Sequence, residues 1–326
     1  MRNVFTCNSK TVYPIIFEVN YGTMKSINCY LFDDGNSLTL IDAGIDLPEF
    51  HHFFEGKLNE FGFTYSSIDQ ILLTHHHEDH VGVVNKILSY KEVPVYAHER
   101  AIERLYFDHT FLTNKLHFFQ GLYQDYGCVD EAADRLKKLQ QTIEVGHFNK
   151  IKTTVIPLKE GDFVMGMQVF EVPGHSPDSI LFYDQETQWC FSGDLAFKWG
   201  TPNALIDFSG ELQLLPTVSQ QQQSLLKIKE LEISCMFPGH QETFEDYVAV
   251  LQYSLDRIEK KCSRVVEAVA NGHTDVMSIA YAIYGKRVEK LFHLILSEII
   301  GYTELAIKRG VITQQLINGQ WTFSIS

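Results

Sequence analysis

Residues 74–80 of the chain read THHHEDH and follow directly on the apolar run QILL at 70–73. The apolar run predicts a short buried strand, and the polar cluster begins where that strand ends. Imidazole nitrogens and an aspartate oxygen are donors that zinc or iron binds in proteins. The spacing would let one ion take His75 and His77 and another ion take Asp79 and His80.

Three further candidate ligands stand on turns that follow predicted strands. The segments are VPGHSP at 172–177, CFSGD at 190–194 and FPGH at 237–240. Proline and glycine near these residues favour a sharp turn and leave room for a metal. The candidates on these turns are His175, Asp194 and His240.

The remainder of the first half alternates between strand and helix signals. Apolar runs at 26–32 and 37–41 are separated by DDGN, which has the chemistry of a hairpin turn. A helix is predicted at 47–61 and a further strand at 93–97. Such alternation predicts a layered α/β domain.

Residues 99–143 have a different composition, without proline and rich in Glu, Lys, Leu and Gln. They predict two or three helices inserted into the α/β domain, either packing on it or forming a lid over the metal site. Strand signals return at 152–195.

The end of the chain has its own pattern. A helix capped at 274–275, two more helices at 288–296 and 297–309, and a hairpin at Asn318-Gly319 are predicted. Three helices followed by a hairpin are typical of a winged-helix module.

With these motifs in this order, the sequence resembles the metallo-β-lactamase-fold hydrolases. The resemblance rests on IDAG at 41–44, on the 75–80 motif and on the three later candidates. It implies a four-layer αββα sandwich over residues 1–245, with the helical insert at 99–143. Residues 246–326 would form a C-terminal winged-helix-like domain.

The resemblance also implies the metal ligands and the cofactor. The cofactor would be two divalent metal ions, either zinc or, in its place, manganese or iron. Catalysis would fall to Asp79 and Asp194. One ion would lie on His75, His77 and His175 and the other on Asp79, His80 and His240, with Asp194 bridging. Asp42 is expected to orient one of the ligand histidines through the ring's other nitrogen.

The expected activity is hydrolysis of a small acyl substrate by a hydroxide that bridges the two metals. The expected substrate is a thioester, an ester or a lactone. The predicted C-terminal module differs from the helical glutathione-binding domain of glyoxalase II, and the segment 195–239 lacks the tyrosine of lactonases. Alternatives are a phosphodiesterase or ribonuclease, a mononuclear iron persulfide dioxygenase, and a DNA-binding regulator with a degenerate catalytic domain.

Charge bears on the partners that the chain can have. The formal net charge is −14, and residues 256–326 carry only +2, with nine Lys/Arg and seven Asp/Glu. An acidic surface repels a nucleic-acid backbone, so we expect a small-molecule substrate and no nucleic acid. The sequence predicts no membrane segment, and six widely spaced cysteines favour the reducing cytoplasm. A homodimer is consistent with these features.

Overall fold

The computed structural model describes residues 4–21, 24–146 and 150–326. Most of the described strands belong to two large sheets. The strands of the first are β1 (Phe5–Cys7), β2 (Lys10–Tyr21), β3 (Met24–Asp33), β4 (Leu38–Ile41), β5 (Gln70–Leu72), β6 (Val95–His98) and β7 (Val155–Leu158). Those of the second are β8 (Phe163–Val164), β9 (Met167–Glu171), β10 (Ile180–Asp184), β11 (Trp189–Gly193) and β12 (Cys235–Pro238). The strands of both sheets follow chain order. Both sheets are mixed: β4–β7 run parallel to one another and β12 runs parallel to β11, whereas the other neighbouring strands are antiparallel.

The helices of the described residues lie outside these sheets, and a separate hairpin ends the chain. The helices are α1 (Pro48–Phe61), α2 (Glu78–Val81), α3 (Val84–Leu88), α4 (Ile102–Leu105), α5 (His109–Asp125), α6 (Val129–Val145), α7 (Thr217–Lys229), α8 (Tyr247–Ala270), α9 (Val276–Tyr284) and α10 (Arg287–Lys308). The hairpin pairs β13 (Ile312–Ile317) with β14 (Gln320–Ile325). Every helix in the described part of the chain is too short or too polar to cross a lipid bilayer.

The two sheets pack face to face over a shared apolar core. Phe32 and Leu72 of the first sheet join Phe182, Phe191 and Phe237 of the second in one buried cluster. These side chains lose their contact with water when the sheets meet, and this burial drives the pairing of the two sheets. The predicted α/β sandwich with flanking helices is confirmed, and both of its sheets are mixed.

Helices cover the outer face of each sheet. On the first sheet, α1 buries Phe50, Phe54 and Leu58 in a cluster with strand residues. The second sheet shares its cluster with the insert and with the C-terminal helices, for example through Phe119 of α5 and Ile299 of α10. The apolar core is therefore continuous across residue 245, and the division into two domains at that point stays a prediction.

The insert is helical, as predicted, and contains α4, α5 and α6. The prediction of helices at 288–296 and 297–309 is wrong in its boundary, because α10 continues through Ser297 and its break lies at Leu291 instead. Only Leu291 departs from helical torsions, at φ −124° and ψ 30°. Neither glycine nor proline stands at the predicted join, so nothing interrupts the helical hydrogen bonds there.

Two other C-terminal predictions are confirmed. Asp275 caps α9 by accepting a hydrogen bond from the backbone N–H of Ser278. Asn318 and Gly319 both have positive φ, 53° and 80°, as the predicted hairpin turn requires. The hairpin follows α8, α9 and α10, and the assignment of this region as a winged helix stays a prediction.

Hydrogen bonds between the sheets fix one end of the sandwich. The phenol of Tyr30 on β3 donates to the carbonyl of Pro238 on β12 over 2.6 Å. Asn28 donates its backbone N–H to the carbonyl of Gly239 over 2.9 Å. These bonds hold the turn after β12 against the first sheet, at the end where the predicted ligands lie.

Gly82, which follows α2, provides a test of this packing. A Cβ at Gly82 would lie 2.1 Å from the carbonyl carbon of Ile45. We expect Gly82→Ala to lower the free energy of unfolding by about 1–3 kcal/mol, since the backbone must move to accept the methyl group. The measurement is urea unfolding followed by circular dichroism.

The matched control for this substitution is Gly56→Ala in α1. Gly56 is exposed, and a Cβ there would meet nothing within 4 Å. We expect Gly56→Ala to raise the free energy of unfolding by about 0.5–1 kcal/mol, because alanine favours the helix. Equal unfolding midpoints for the two variants would contradict the argument.

Candidate metal centre

The segment 73–80, which we call the ligand loop and which includes the start of α2, carries four of the predicted ligands and is tied to both sheets. The backbone N–H of Thr74 donates to Asp42 Oδ1 over 2.8 Å, and the Thr74 carbonyl accepts from Ile180 N of the second sheet over 2.9 Å. The backbone N–H of His76 donates to Asp178 Oδ2 over 2.8 Å. The loop therefore has a defined position relative to the strands that carry the later ligands.

Three histidines, which we call the first group, face one point. His77 Nδ1 lies 3.0 Å from His75 Nε2 and 3.0 Å from His175 Nε2. The other ring nitrogens are engaged, because His75 Nδ1 donates to Thr74 Oγ1 over 3.1 Å and His175 Nδ1 to the carbonyl of Asn203 over 2.8 Å. In this hydrogen-bond network, His75 and His175 present the lone pairs of Nε2 toward His77 Nδ1.

The second group contains Asp79, His80 and His240. Asp79 Oδ2 lies 3.5 Å from His240 Nε2, and Asp79 Oδ1 lies 3.9 Å from His80 Nε2. Asp194 stands between the two groups, with Oδ1 at 3.5 Å from His80 Nε2 and Oδ2 at 3.3 Å from His240 Nε2. The same Oδ2 lies 3.4 Å from His175 Nε2 of the first group. The structure thus brings all seven predicted ligand residues together.

Asp42 orients one of the ligand histidines, as expected, and that histidine is His80. Asp42 Oδ2 accepts hydrogen bonds from His80 Nδ1 and from Thr74 Oγ1, each over 2.8 Å. The Thr74 hydroxyl in turn accepts from His75. One buried carboxylate therefore sets the ring of one histidine directly and that of a second histidine through a hydroxyl.

Two buried polar atoms of this centre have no hydrogen-bond partner among the described residues. They are His80 Nε2 and Asp194 Oδ1. Leaving such groups unpaired costs about 1–3 kcal/mol each, and more for charged groups. A divalent cation would satisfy both atoms, and the nitrogen and carboxylate donors are of the kinds that zinc, manganese and iron accept. The residues present therefore fit a metal centre.

Electrostatics agrees with this fit. Burial and the neighbouring imidazoles lower the pKa of His75 and of His77 well below the usual histidine range. Burial raises the pKa of Asp194, but the imidazoles of the second group outweigh burial and bring that pKa well below its usual range. Burial lowers the pKa of His80, yet the surrounding carboxylates, that of Asp42 foremost, raise it to about 10. The neutral imidazoles of the first group thus lie beside the ionised carboxylate of Asp194. This arrangement suits a bound cation.

The turn before His240 leaves room for this centre, as the sequence predicted. A Cβ at Gly239 would lie 2.5 Å from Asp194 Oδ1 and 2.6 Å from His80 Cε1. Only glycine allows the backbone to approach these two side chains so closely.

Sequence reasoning missed several groups that support the ligands. Asp178 is fully buried, and its Oδ1 also lies 2.8 Å from His76 Nδ1, so this carboxylate holds the loop twice. The carbonyls of Asn203 and Ser26 accept from His175 Nδ1 and His240 Nδ1. Asp178 left a weak signal, since it lies three residues after His175. Backbone carbonyls leave no signal in a sequence.

A cavity of about 820 Å³ opens beside the first group. His77 and His175 line one side of it, Phe111 and Leu112 of α5 another, and Phe292 of α10 a third. The insert and the C-terminal part therefore both contribute to the wall. The proposed lid function of the insert stays a prediction.

Comparison with known proteins places this centre in a family. The family model of the metallo-beta-lactamase superfamily matches residues 22–240. The chain belongs to the metallo-β-lactamase superfamily. It is a metal-dependent hydrolase, and the centre is one that can hold divalent metal ions.

Individual relatives agree with this assignment. A probable metallo-hydrolase of Bacillus subtilis, YqjP, is 24% identical over 284 residues, which are 86% of this chain and 87% of that protein. A hydroxyacylglutathione hydrolase of Hydrogenovibrio crunogenus is 27% identical over 217 residues, covering 65% of this chain and 56% of that protein. The crystal structure of a metallo-beta-lactamase family protein from Thermus thermophilus, TTHA1429, superposes with a TM-score of 0.77 at 18% identity. That match covers 97% of this chain and 98% of the other, and it shows that the two share a fold.

Asp42→Asn tests the support of the metal centre. Asparagine keeps the shape of the side chain and tolerates the φ of 55° at this position, but it removes the charge that orients His80. We expect divalent-metal affinity to fall by about 10–100-fold, measured by competition with a chelator. Asp46→Asn is the control, because Asp46 pairs with His51 at 2.6 Å outside the centre. Equal affinities for the two variants would contradict the proposed role of Asp42.

Proposed function

We propose that this chain is a binuclear metallohydrolase of a small acyl substrate, and that thioesters are its expected substrates before esters and lactones. The observation that carries the proposal is the position of Asp194. Its two oxygens lie 3.3–3.5 Å from nitrogens of both groups. A carboxylate in contact with both groups is suited to bridge two ions.

In this proposal the first group holds one ion and the second group holds the other. Zinc suits the mixture of imidazole and carboxylate donors, and manganese or iron would use the same residues. Divalent ions bound by these residues would lower the pKa of a water molecule toward neutrality and would polarise the substrate's oxygen.

The protein residues have separate tasks in this proposal. Asp194 is 6% exposed and ionised, and its carboxylate lies between the two ligand groups and keeps their relative position. The Asp79 side chain is more accessible, at 18% exposure, so its carboxylate is the group that can receive a proton from water and pass it to the leaving group. His76 is held by Asp178 and keeps the loop in place.

The cavity supports an acyl substrate. The rings of Phe111 and Phe292 and the side chain of Leu112 provide apolar surface next to the ligands of the first group. Apolar walls with a few convergent polar groups are typical of small-molecule sites. The relative named as a hydroxyacylglutathione hydrolase acts on an acyl compound by its name, which agrees with this class.

The C-terminal part contributes to the same cavity. Phe292, His293 and Ser297 of α10 lie along it. This supports a role of that part at the edge of the pocket. A small-molecule substrate, the absence of a nucleic-acid partner and a homodimer all remain proposals.

His77→Ala is the first test of the binuclear proposal. We expect the variant to lose at least one metal per chain and most of its thioesterase activity, because His77 Nδ1 is the nitrogen that His75 and His175 both face. Elemental analysis and hydrolysis assays check the two parts. His52→Ala, at an exposed position of α1, is the control and should retain both the metal content and the activity. An unchanged rate at full metal loading would overturn the proposal.

The alternatives are separated by metal content and substrate. Two equivalents of zinc, manganese or iron with turnover of thioesters or lactones support the proposal. One equivalent of iron with oxygen uptake on persulfides would instead identify a dioxygenase. RNA cleavage with binding that weakens steeply as salt rises would identify a ribonuclease.

Phe292→Ala tests whether the cavity holds the acyl chain. We expect kcat/KM to fall more for long acyl thioesters than for acetyl thioesters, by up to about fourfold for each methylene that contacts the ring. Leu291→Ala is the control, since Leu291 is 39% exposed and is not among the described residues that line the cavity. A loss that is equal for acetyl and octanoyl substrates would argue against an acyl-binding role.

A further inference from the structure

The cavity beside the metal ligands has an uneven distribution of charge. Three cationic side chains on its wall are buried or half-buried. Among the carboxylates on the wall, only that of Asp207 is half-buried, and the others are exposed. The three cations are Arg104, Lys115 and Arg135. For a chain with a formal net charge of −14, a cationic inner wall is unexpected.

Arg104 and Asp207 already satisfy each other. Arg104 Nη2 donates to Asp207 Oδ1 over 2.9 Å, and Nη1 donates to Glu103 and to the carbonyl of Arg100. Arg104 is only 6% exposed, so this pair forms part of the wall. The carboxylate of Asp207 is thus paired with Arg104. It forms no ion pair with the other two cations, Lys115 and Arg135.

Lys115 and Arg135 have no carboxylate within ion-pair distance among the described residues. The Lys115 ammonium lies 5.8 Å from the centre of the Phe111 ring, and the Arg135 guanidinium lies 4.2 Å from that of Phe119. Arg135 also donates to the hydroxyl of Tyr123 over 2.9 Å. Burial and the two neighbouring arginines lower the pKa of Lys115 against the opposing effect of the Asp207 and Asp178 carboxylates. A half-buried cation with no carboxylate in direct contact is costly to the folded chain unless a ligand supplies that contact.

We propose that Lys115, with Arg135 beside it, binds an anionic group of the substrate, a carboxylate or a phosphate. This inference rests on the proposed function, because it assigns the substrate class of the same site. The anionic group of the substrate would lie at Lys115 and Arg135, and its acyl group would lie in the same cavity, next to His77 and His175.

The rim of the cavity limits the size of this anion. The exposed side chains that line it carry a net negative charge, since four are carboxylates (Glu78, Glu131, Asp134 and Glu289) and two are ammonium groups (Lys138 and Lys290). An acidic rim repels a long polyanion but admits a small molecule whose charge passes inside. The pattern therefore favours a small anionic thioester over RNA.

The test separates binding from turnover. Binding of diacids from succinate to suberate, each compared with its monoamide, is measured by calorimetry on the metal-loaded protein. We expect at least one diacid to bind about tenfold or more tightly than its monoamide, and Lys115→Met to abolish this difference. Lys115→Arg should retain most of it. Lys138→Met is the control, because Lys138 lines the same cavity but is exposed.

Kinetics then shows which part of the substrate carries the charge. S-glutaryl-N-acetylcysteamine has a carboxylate on the acyl side and S-butyryl-3-mercaptopropionate has one on the thiol side, with S-butyryl-N-acetylcysteamine as the neutral reference. For the preferred anionic thioester, Lys115→Met should raise KM by about tenfold and change kcat by less than about threefold. The neutral thioester should be unaffected.

The two ideas can fail separately. Equal binding of every diacid and its monoamide to the wild-type protein, or an equal loss in the Lys115→Met and Lys138→Met variants, would overturn the inference about Lys115. Turnover of the neutral thioester would leave the proposed function standing in that case. Absence of thioester turnover at full metal loading would overturn the proposed function, and the binding comparison would still decide the role of Lys115.

Discussion

The carboxylate of Asp42 is the group on which the metal centre depends. It lies just after β4, at a positive φ of 55°, and it accepts hydrogen bonds from Thr74 and His80. The backbone there also joins neighbouring segments, since Asp42 N donates to the Leu72 carbonyl and Ala43 N donates to the His80 carbonyl. A buried charge of this kind is stable only when its hydrogen bonds are complete. The strand end, the ligand loop and the ring of His80 are therefore fixed as one unit.

The second sheet completes what the first sheet begins. His175 follows β9, Asp194 follows β11 and His240 follows β12, so the later ligands all come from the edge of the second sheet that faces the ligand loop. The sheets must hold their relative position closely for these atoms to meet. The apolar core between them and the bonds from Asn28 and Tyr30 to residues 238–239 provide that constraint.

Substrate selection depends on other parts of the chain. The ligands come from loops of the two sheets, whereas the cavity wall comes largely from α5, α6 and α10. These helices share one apolar core with the second sheet, so the cavity is built on a packed support. In such an arrangement, changes in the helices can alter the substrate without disturbing the metal centre.

Much of the catalytic half could be predicted from local sequence. The alternation of apolar runs and turns identifies the strands, and the 75–80 motif with His175, Asp194 and His240 identifies the candidate ligands, because each signal is contained in a few adjacent residues. The role of Asp42 also followed from its place at a strand end. The break in α10 was predicted at 296/297 but lies at Leu291, and neither position carries a glycine or proline that would mark a helix end in the sequence.

The sequence by itself determined the strand–turn–ligand order and the kinds of donor atom at the centre. Only the tertiary structure decided which atoms meet: Nδ1 of His77 against Nε2 of its two partners, and the carboxylate of Asp178 against a loop a hundred residues earlier in the chain. It also decided that Lys115 lies half-buried in the same cavity as the ligands. The physical reason is that donor type is a property of one residue, whereas distance, burial and counter-charge are properties of residues brought together by the packing of two sheets and their helices.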